Sequence, residues 1–161
     1  MSEIVRVGMA DLNVCKAPDI ITTLGLGSCI GLTLYDPSTK IGGMVHYMLP
    51  DSTRITDNSK IAKFGDTGIR ELLRRVLEEG ANRSTLQAKI AGGAKMFALN
   101  STSKLGNIGE KNTIVAKEVL KELGIRLIAE DTGLNFGRTV ELHCDTGDFY
   151  IKAVKKPVKI I

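Results

Sequence analysis

Apolar positions along this chain recur at two spacings. Ile30, Leu32 and Leu34 alternate with Gly31, Thr33 and Tyr35, the period of two that a half-buried strand requires. A second apolar run covers Ile41 to Leu49, and Asp36-Pro37-Ser38-Thr39 lies between the two. Asp at the first position and Pro at the second suit a type I turn, around which four-residue hairpin loops form. Pairing Tyr35 with Lys40 then predicts a hairpin in which Cys29 stands directly opposite His46. Ile30, Leu34, Ile41 and Val45 share its apolar face; Cys29, Gly31, Thr33, Met44 and His46 share the other. A slip by one residue would turn His46 to the apolar face.

Elsewhere the spacing lengthens. Ile69, Leu72, Leu73, Val76 and Leu77 follow the i, i+3, i+4, i+7, i+8 stripe of an amphipathic helix, with Asp66 a candidate N-cap and Gly80 a stop. A second helix is expected from Asn107 or Asn112 through Leu123, with Val115, Val119, Leu120 and Leu123 inward and Gly124 at its end. Strands are expected at Ile4–Met9, Ile20–Leu24, Leu86–Ala91 and Ile125–Glu130. Arg138–Cys144 and Phe149–Val154 alternate across Asp145-Thr146-Gly147-Asp148 as a second hairpin. Cys15 to Pro18 and Asp51 to Lys60 read as loops. This order predicts one α/β (α+β-like) domain over residues 1–161, a layered sandwich with a mixed, mostly antiparallel sheet covered by two helices.

Composition narrows the function classes. Hydrophobic residues are 43% and charged residues 25% of the 161, ordinary for a soluble globular chain. No apolar run reaches the length of a membrane span, and MSEIVRVGM has no leader pattern. Three cysteines without Cys-x-x-Cys favour a reducing cytoplasm over a disulfide framework. The net charge of +4 reads as a solvated basic surface, or as a weak field for an acidic partner. Trp is absent, aromatics are 4% and no dense Lys/Arg stripe is interleaved with stacking residues, so nucleic acid ranks last among the partners this charge suits.

The predicted hairpin supplies the chemistry. Side chains directly opposed on a ladder have Cβ atoms about 4.5–5.5 Å apart, within reach of a thiol–imidazole hydrogen bond. Cys29 and His46 are therefore a candidate nucleophile and base; the plain alternative is a small buried thiol beside a satisfied strand histidine. A third group that orients the imidazole has Thr22, Thr23 and Asp51 as candidates. Gly25-x-Gly27 does not make a dinucleotide site, because strand pattern follows where a helix must begin. A zinc site from Cys29, His46, His143 and Cys144 matches no common spacing.

At these residues the chain resembles the CheD family of chemoreceptor glutamine deamidases. Thr23-Leu24-Gly25-Leu26-Gly27-Ser28-Cys29 and His46-Tyr47-Met48-Leu49-Pro50-Asp51 carry the resemblance. Ala91-Gly92-Gly93-Ala94-Lys95-Met96-Phe97, Asn107-Ile108-Gly109 with Asn112, and Ala129-Glu130-Asp131-Thr132-Gly133 extend it over nearly the whole chain. The resemblance implies the same layered sandwich. It implies catalytic roles for Cys29, His46 and Thr23, with Gly27, Ser28, Gly92 and Gly93 around the substrate carbonyl. It implies hydrolysis of glutamine side chains on the cytoplasmic helices of chemoreceptors, with no metal or organic cofactor. It also brings the CheC phosphatase as a partner, with a non-catalytic adaptor role or a receptor glutamate methylesterase activity as alternatives. The family pattern usually has Arg at Lys111, and Lys lacks the planar fork for a bidentate contact. It commonly has a second glycine at Leu134.

Overall fold

The computed structural model describes residues 2–96 and 107–161; Phe97 of the glycine-rich motif lies outside them. The first half of the described chain forms β1 (Ile4–Val7), β2 (Asp11–Lys16), β3 (Ile20–Leu26), β4 (Ile30–Asp36), β5 (Ile41–Tyr47), α1 (Gly65–Glu78) and β6 (Gln87–Gly92). The second half forms α2 (Ile108–Leu123), β7 (Arg126–Thr132), β8 (Arg138–His143), β9 (Asp148–Lys152) and β10 (Lys159–Ile160). The expected layered α/β sandwich is present, with its strands divided between two five-stranded sheets ordered β1-β3-β8-β9-β10 and β2-β5-β4-β6-β7. The pairs β1/β3 and β6/β7 are parallel and the others antiparallel.

Two cores explain the layering. Ile30, Leu32 and Leu34 of β4, Val45 and Tyr47 of β5, and Ile90 of β6 pack with Ile69, Leu72 and Val76 of α1 and Val119 and Leu120 of α2. The opposite face of the same sheet gives Cys29, Tyr35, Met44 and Ala91 to a second core, shared with Val7, Ile21, Leu26, Val140, Leu142 and Phe149 from the other sheet. Helices, central sheet and outer sheet thus form three layers, and each fully buried aliphatic side chain contributes about 1.5–3 kcal/mol relative to exposure. Gly42 and Gly43 let both layers approach β5. A Cβ on Gly42 would meet Leu142 at 2.8 Å from the outer sheet, and one on Gly43 would meet Leu72 at 2.8 Å from α1.

The β4–β5 register differs from the expected one by two residues. Asp36 pairs with Ile41 and Gly31 with His46, so the loop is Pro37–Lys40 and Cys29 is not directly opposite His46. The cause is the Asp36 side chain. Its buried carboxylate accepts from Ser38 N and Oγ, from Thr39 Oγ1, and across the fold from Asn82 N at 2.7 Å and Thr85 Oγ1 at 2.5 Å. Burial pushes its pKa up, but these hydrogen bonds outweigh that and hold it well below the usual carboxylate range. Because the shift is even, every side chain keeps its expected face.

Three further expectations are corrected. Cys15 and Lys16 end the edge strand β2 instead of lying in a loop. Asp66 is inside the first turn of α1, where Phe64 is the N-cap, and its carboxylate accepts from Ser52 N and Oγ. Asn107 is the N-cap of α2, and Asn112 is buried within that helix.

Candidate active site

The site is built where β3 of the outer sheet faces β5 of the central one. Thr23 and His46 are each only 1% exposed. Thr23 Oγ1 lies 2.7 Å from Val7 O and 2.7 Å from His46 Nδ1. The hydroxyl has one proton, and a carbonyl oxygen can only accept. The proton therefore goes to Val7, and Nδ1 carries the hydrogen that it donates to Thr23. This fixes the neutral tautomer with a bare lone pair on Nε2. Nε2 is buried and has no hydrogen-bond partner among the described residues. Burial disfavours the charged imidazolium and lowers the His46 pKa to about 4, so the ring is neutral at physiological pH.

Cys29 occupies the turn before β4 and faces the inter-sheet core. Cys29 lies one residue beyond the last rung of the ladder, Ile30–Tyr47, on the face that carries His46. The thiol makes no hydrogen bond to the imidazole, and apo acid–base pairs are often loose in this way. Burial pushes the Cys29 thiol above its ordinary pKa, opposed in part by its own backbone N–H. The resting pair is thus neutral thiol and neutral imidazole.

The turn that carries Cys29 is held from behind. Gly93 N donates to Cys29 O and Ala94 N to Gly27 O, both at 2.9 Å. Gly92 and Gly93 have φ of 110° and 62°, and a Cβ on Gly92 would overlap the Cys29 carbonyl, so only glycine fits this close left-handed crossing. The Gly93 N–H is spent on Cys29 and supports the turn rather than a substrate oxygen. Among the described residues no backbone carbonyl accepts from the N–H of Ser28 or Cys29, and the Cys29 N–H faces its own sulfur.

Two residues support the turn: Arg138, to which sequence reasoning gave no role at the site, and Asn112, which it placed in a family motif without a role. Arg138 is 2% exposed; its Nε donates to Asp131 Oδ2 at 3.0 Å, and Nη1 to Gly133 O at 3.1 Å and Gly92 O at 3.4 Å. Asn112 reaches the backbone on either side of Cys29 and His46. The only signal for Arg138 was a charged residue at an inward position of an alternating strand. Three glycine- and polar-rich motifs thereby converge on the back of one cysteine turn.

Other candidates separate from the site. Thr22 Oγ1 donates to Val140 O at 2.8 Å, and Asp51 accepts from Thr53 N and Oγ1 at 2.9 and 2.6 Å, so neither orients His46. Cys144 lies 3.2 Å from Cys15 instead of near Cys29. His143 is bonded to Glu141 at 3.1 Å, and no metal-binding group of three or more His, Cys, Asp or Glu occurs among the described residues. Lys111 is exposed and makes no ion pair among the described residues. Leu134 has φ of 61°, a left-handed position at which glycine is unstrained.

A three-layered α/β sandwich with a thiol, a neutral imidazole of fixed tautomer and backbone N–H groups at the cysteine turn has the equipment of a small acyl-transfer hydrolase. The comparisons narrow the class. The model for CheD, described as chemotactic sensory transduction, matches residues 48–153. The chain is 58% identical over 161 residues to a probable chemoreceptor glutamine deamidase CheD of Lachnoclostridium phytofermentans, covering 100% of both proteins. Proteins of the same description match from Caldanaerobacter subterraneus (54% over 160 residues, 99% of each chain) and Pyrococcus horikoshii (49% over 150 residues, 93% of this chain and 92% of that one). The chain belongs to the CheD family.

Proposed function

We propose that this protein deamidates selected glutamine side chains of chemoreceptors, producing glutamate and ammonia. The observation that carries the chemistry is the Thr23–His46 contact, which leaves a dry Nε2 lone pair on the Cys29 face of the hairpin. As Cys29 Sγ attacks the amide carbon, its proton passes to Nε2. The carbonyl oxygen takes the negative charge against the N–H groups of Ser28 and Cys29. Nε2 then returns the proton to the amide nitrogen, the C–N bond breaks, ammonia leaves, and a thioester remains. Water attacks the thioester and gives a proton to Nε2; the C–S bond breaks, the sulfur is reprotonated and glutamate is released. These steps need neither a metal nor an organic cofactor.

Each event converts a neutral side chain into an anion on the receptor's helical bundle. The reading puts residues 1–161 to work as one domain in the cytoplasm, beside receptor helices. No described helix is long and apolar enough to cross a membrane. The CheC phosphatase is a second proposed partner. Intact-mass analysis of a receptor cytoplasmic fragment tests the reaction. Deamidation adds the mass difference between an acid and its amide at each site, ester hydrolysis removes a methylene, and an adaptor changes nothing.

A further inference from the structure

The β4–β5 ladder ends at Ile30–Tyr47. One more rung would pair Cys29 with Met48. Instead Met48 N and Leu49 N both donate to Lys63 O, at 2.8 and 3.1 Å, while the turn before β4 is drawn toward Gly93 and Ala94. The two chains fork directly beyond the site. Asn112 of α2 stands in the fork. Its Nδ2 donates to Ser28 O and to Met48 O, both at 2.9 Å. One carbonyl belongs to the residue before Cys29, the other to the second residue after His46.

The side chain is fully buried, and its Oδ1 has no partner among the described residues. A buried amide oxygen left unpaired is unfavourable, and an apolar residue would avoid it. The two donated bonds offset that cost. Tyr47 Oη donates to Asn112 O at 2.5 Å and ties the same turn of helix to β5.

We infer that Asn112 is a positioning residue for the Cys29–His46 pair, a side-chain amide that replaces the missing rung and sets the width of the fork. The inference rests on the proposed roles of Cys29 and His46. Without the two donors, the Ser28 and Met48 carbonyls lose their partners and the turn is free to shift. A misplacement of about 1 Å costs on the order of a hundredfold in rate. Asn112 is fully buried and offers no surface to a receptor, so the loss falls on kcat and not on KM.

The test uses the full chain and a receptor cytoplasmic fragment. Asn112→Ala is expected to lower kcat by about tenfold to a hundredfold with KM little changed. Val119→Ala, in the helix-side core of the same helix, removes buried volume without touching the fork and should keep its kcat. Alkylation of Cys29 by iodoacetamide, followed across pH by peptide mass mapping, gives a readout without substrate. The Asn112→Ala profile should approach that of His46→Gln. Wild-type kcat and alkylation in folded Asn112→Ala would overturn the inference, as would an equal loss of kcat in Val119→Ala. If Asn112→Ala fails to fold, Asn112→Ser retains one donor and should show an intermediate kcat; a wild-type value there also overturns it. Failure of the underlying reading shows separately, as activity retained by Cys29→Ala.

Discussion

The two faces of the central sheet have opposite characters. Toward the helices, Ile30, Leu32, Leu34, Val45 and Tyr47 are apolar and fully buried. Toward the outer sheet, the same two strands offer Gly31, Thr33, Tyr35, Gly42, Met44 and His46. Alternate residues of one hairpin therefore belong to different jobs. The helix face holds the hairpin rigid by close packing, where lost volume is felt. The outer face carries the thiol and the ring, and Tyr35 and Met44 close it into the second core. Both faces hold core residues, but the thiol and the imidazole lie on the outer one alone.

Substitutions on the two faces should break in different ways. Cys29→Ala is expected to lower kcat by roughly 10⁴-fold or more while leaving the unfolding midpoint near wild type. Leu32→Ala, one face away, should cost about 2–5 kcal/mol of stability and leave the activity per folded molecule intact. A denaturant titration paired with receptor-fragment mass analysis checks both. A large loss of stability in Cys29→Ala would erase the distinction.

Acid sharpens the comparison. The folded His46 pKa of about 4 lies below its ordinary 6.5. Between those values the unfolded chain binds a proton that the folded chain refuses. This contribution is intact above pH 6.5 and is lost as pH falls toward 4, by up to about 1.4 kcal/mol per pH unit. Thermal unfolding of His46→Gln should be less acid-sensitive than wild type over that window. For the same reason, kcat/KM should show no limb near pH 6.5.

Smaller effects are expected around the base. Thr23→Ala should lower kcat by about a hundredfold, at the low end of what positioned acid–base help contributes, and Thr23→Ser should recover much of it. Thr22→Ala should do less, because its hydroxyl is bonded to Val140. Ammonia release by the matched pair decides the matter. The smallest change is expected from Cys15→Ala, which alters the thiol contact with Cys144 and leaves deamidation at the wild-type rate.

Hydrophobic periodicity was enough for both helices, the two hairpins and the face on which each side chain falls. It could not distinguish two registers that differ by an even shift. The choice turned on Asp36, whose carboxylate is captured by Asn82 and Thr85 from a distant loop. Strand β2 was hidden because Asp11-Leu12-Asn13-Val14 is a short edge alternation running into Pro18. The division into two sheets was hidden because β3 pairs with β8, a partner no local pattern announces. At the site, resemblance separated Thr23 from Thr22; Thr23 is hydrogen-bonded to His46 and Thr22 to Val140. The family motif flagged Asn112 but not its role, because Asn112 and Arg138 both bond backbone carbonyls, which carry no sequence signature.

The outer sheet draws β1 and β3 from the beginning of the chain and β8, β9 and β10 from its end. This has a consequence for the order of assembly. During synthesis the whole central sheet and both helices can emerge before β3 meets its second neighbour. Until then β1 and β3 form a lone parallel pair, which is marginal in water. Pairing across such a separation is also slow. A chain halted before Arg138 is expected to possess the cysteine and the histidine without a settled Thr23 to fix the imidazole proton. Reactivity would then arrive last, as a property of the finished molecule and not of its nascent parts.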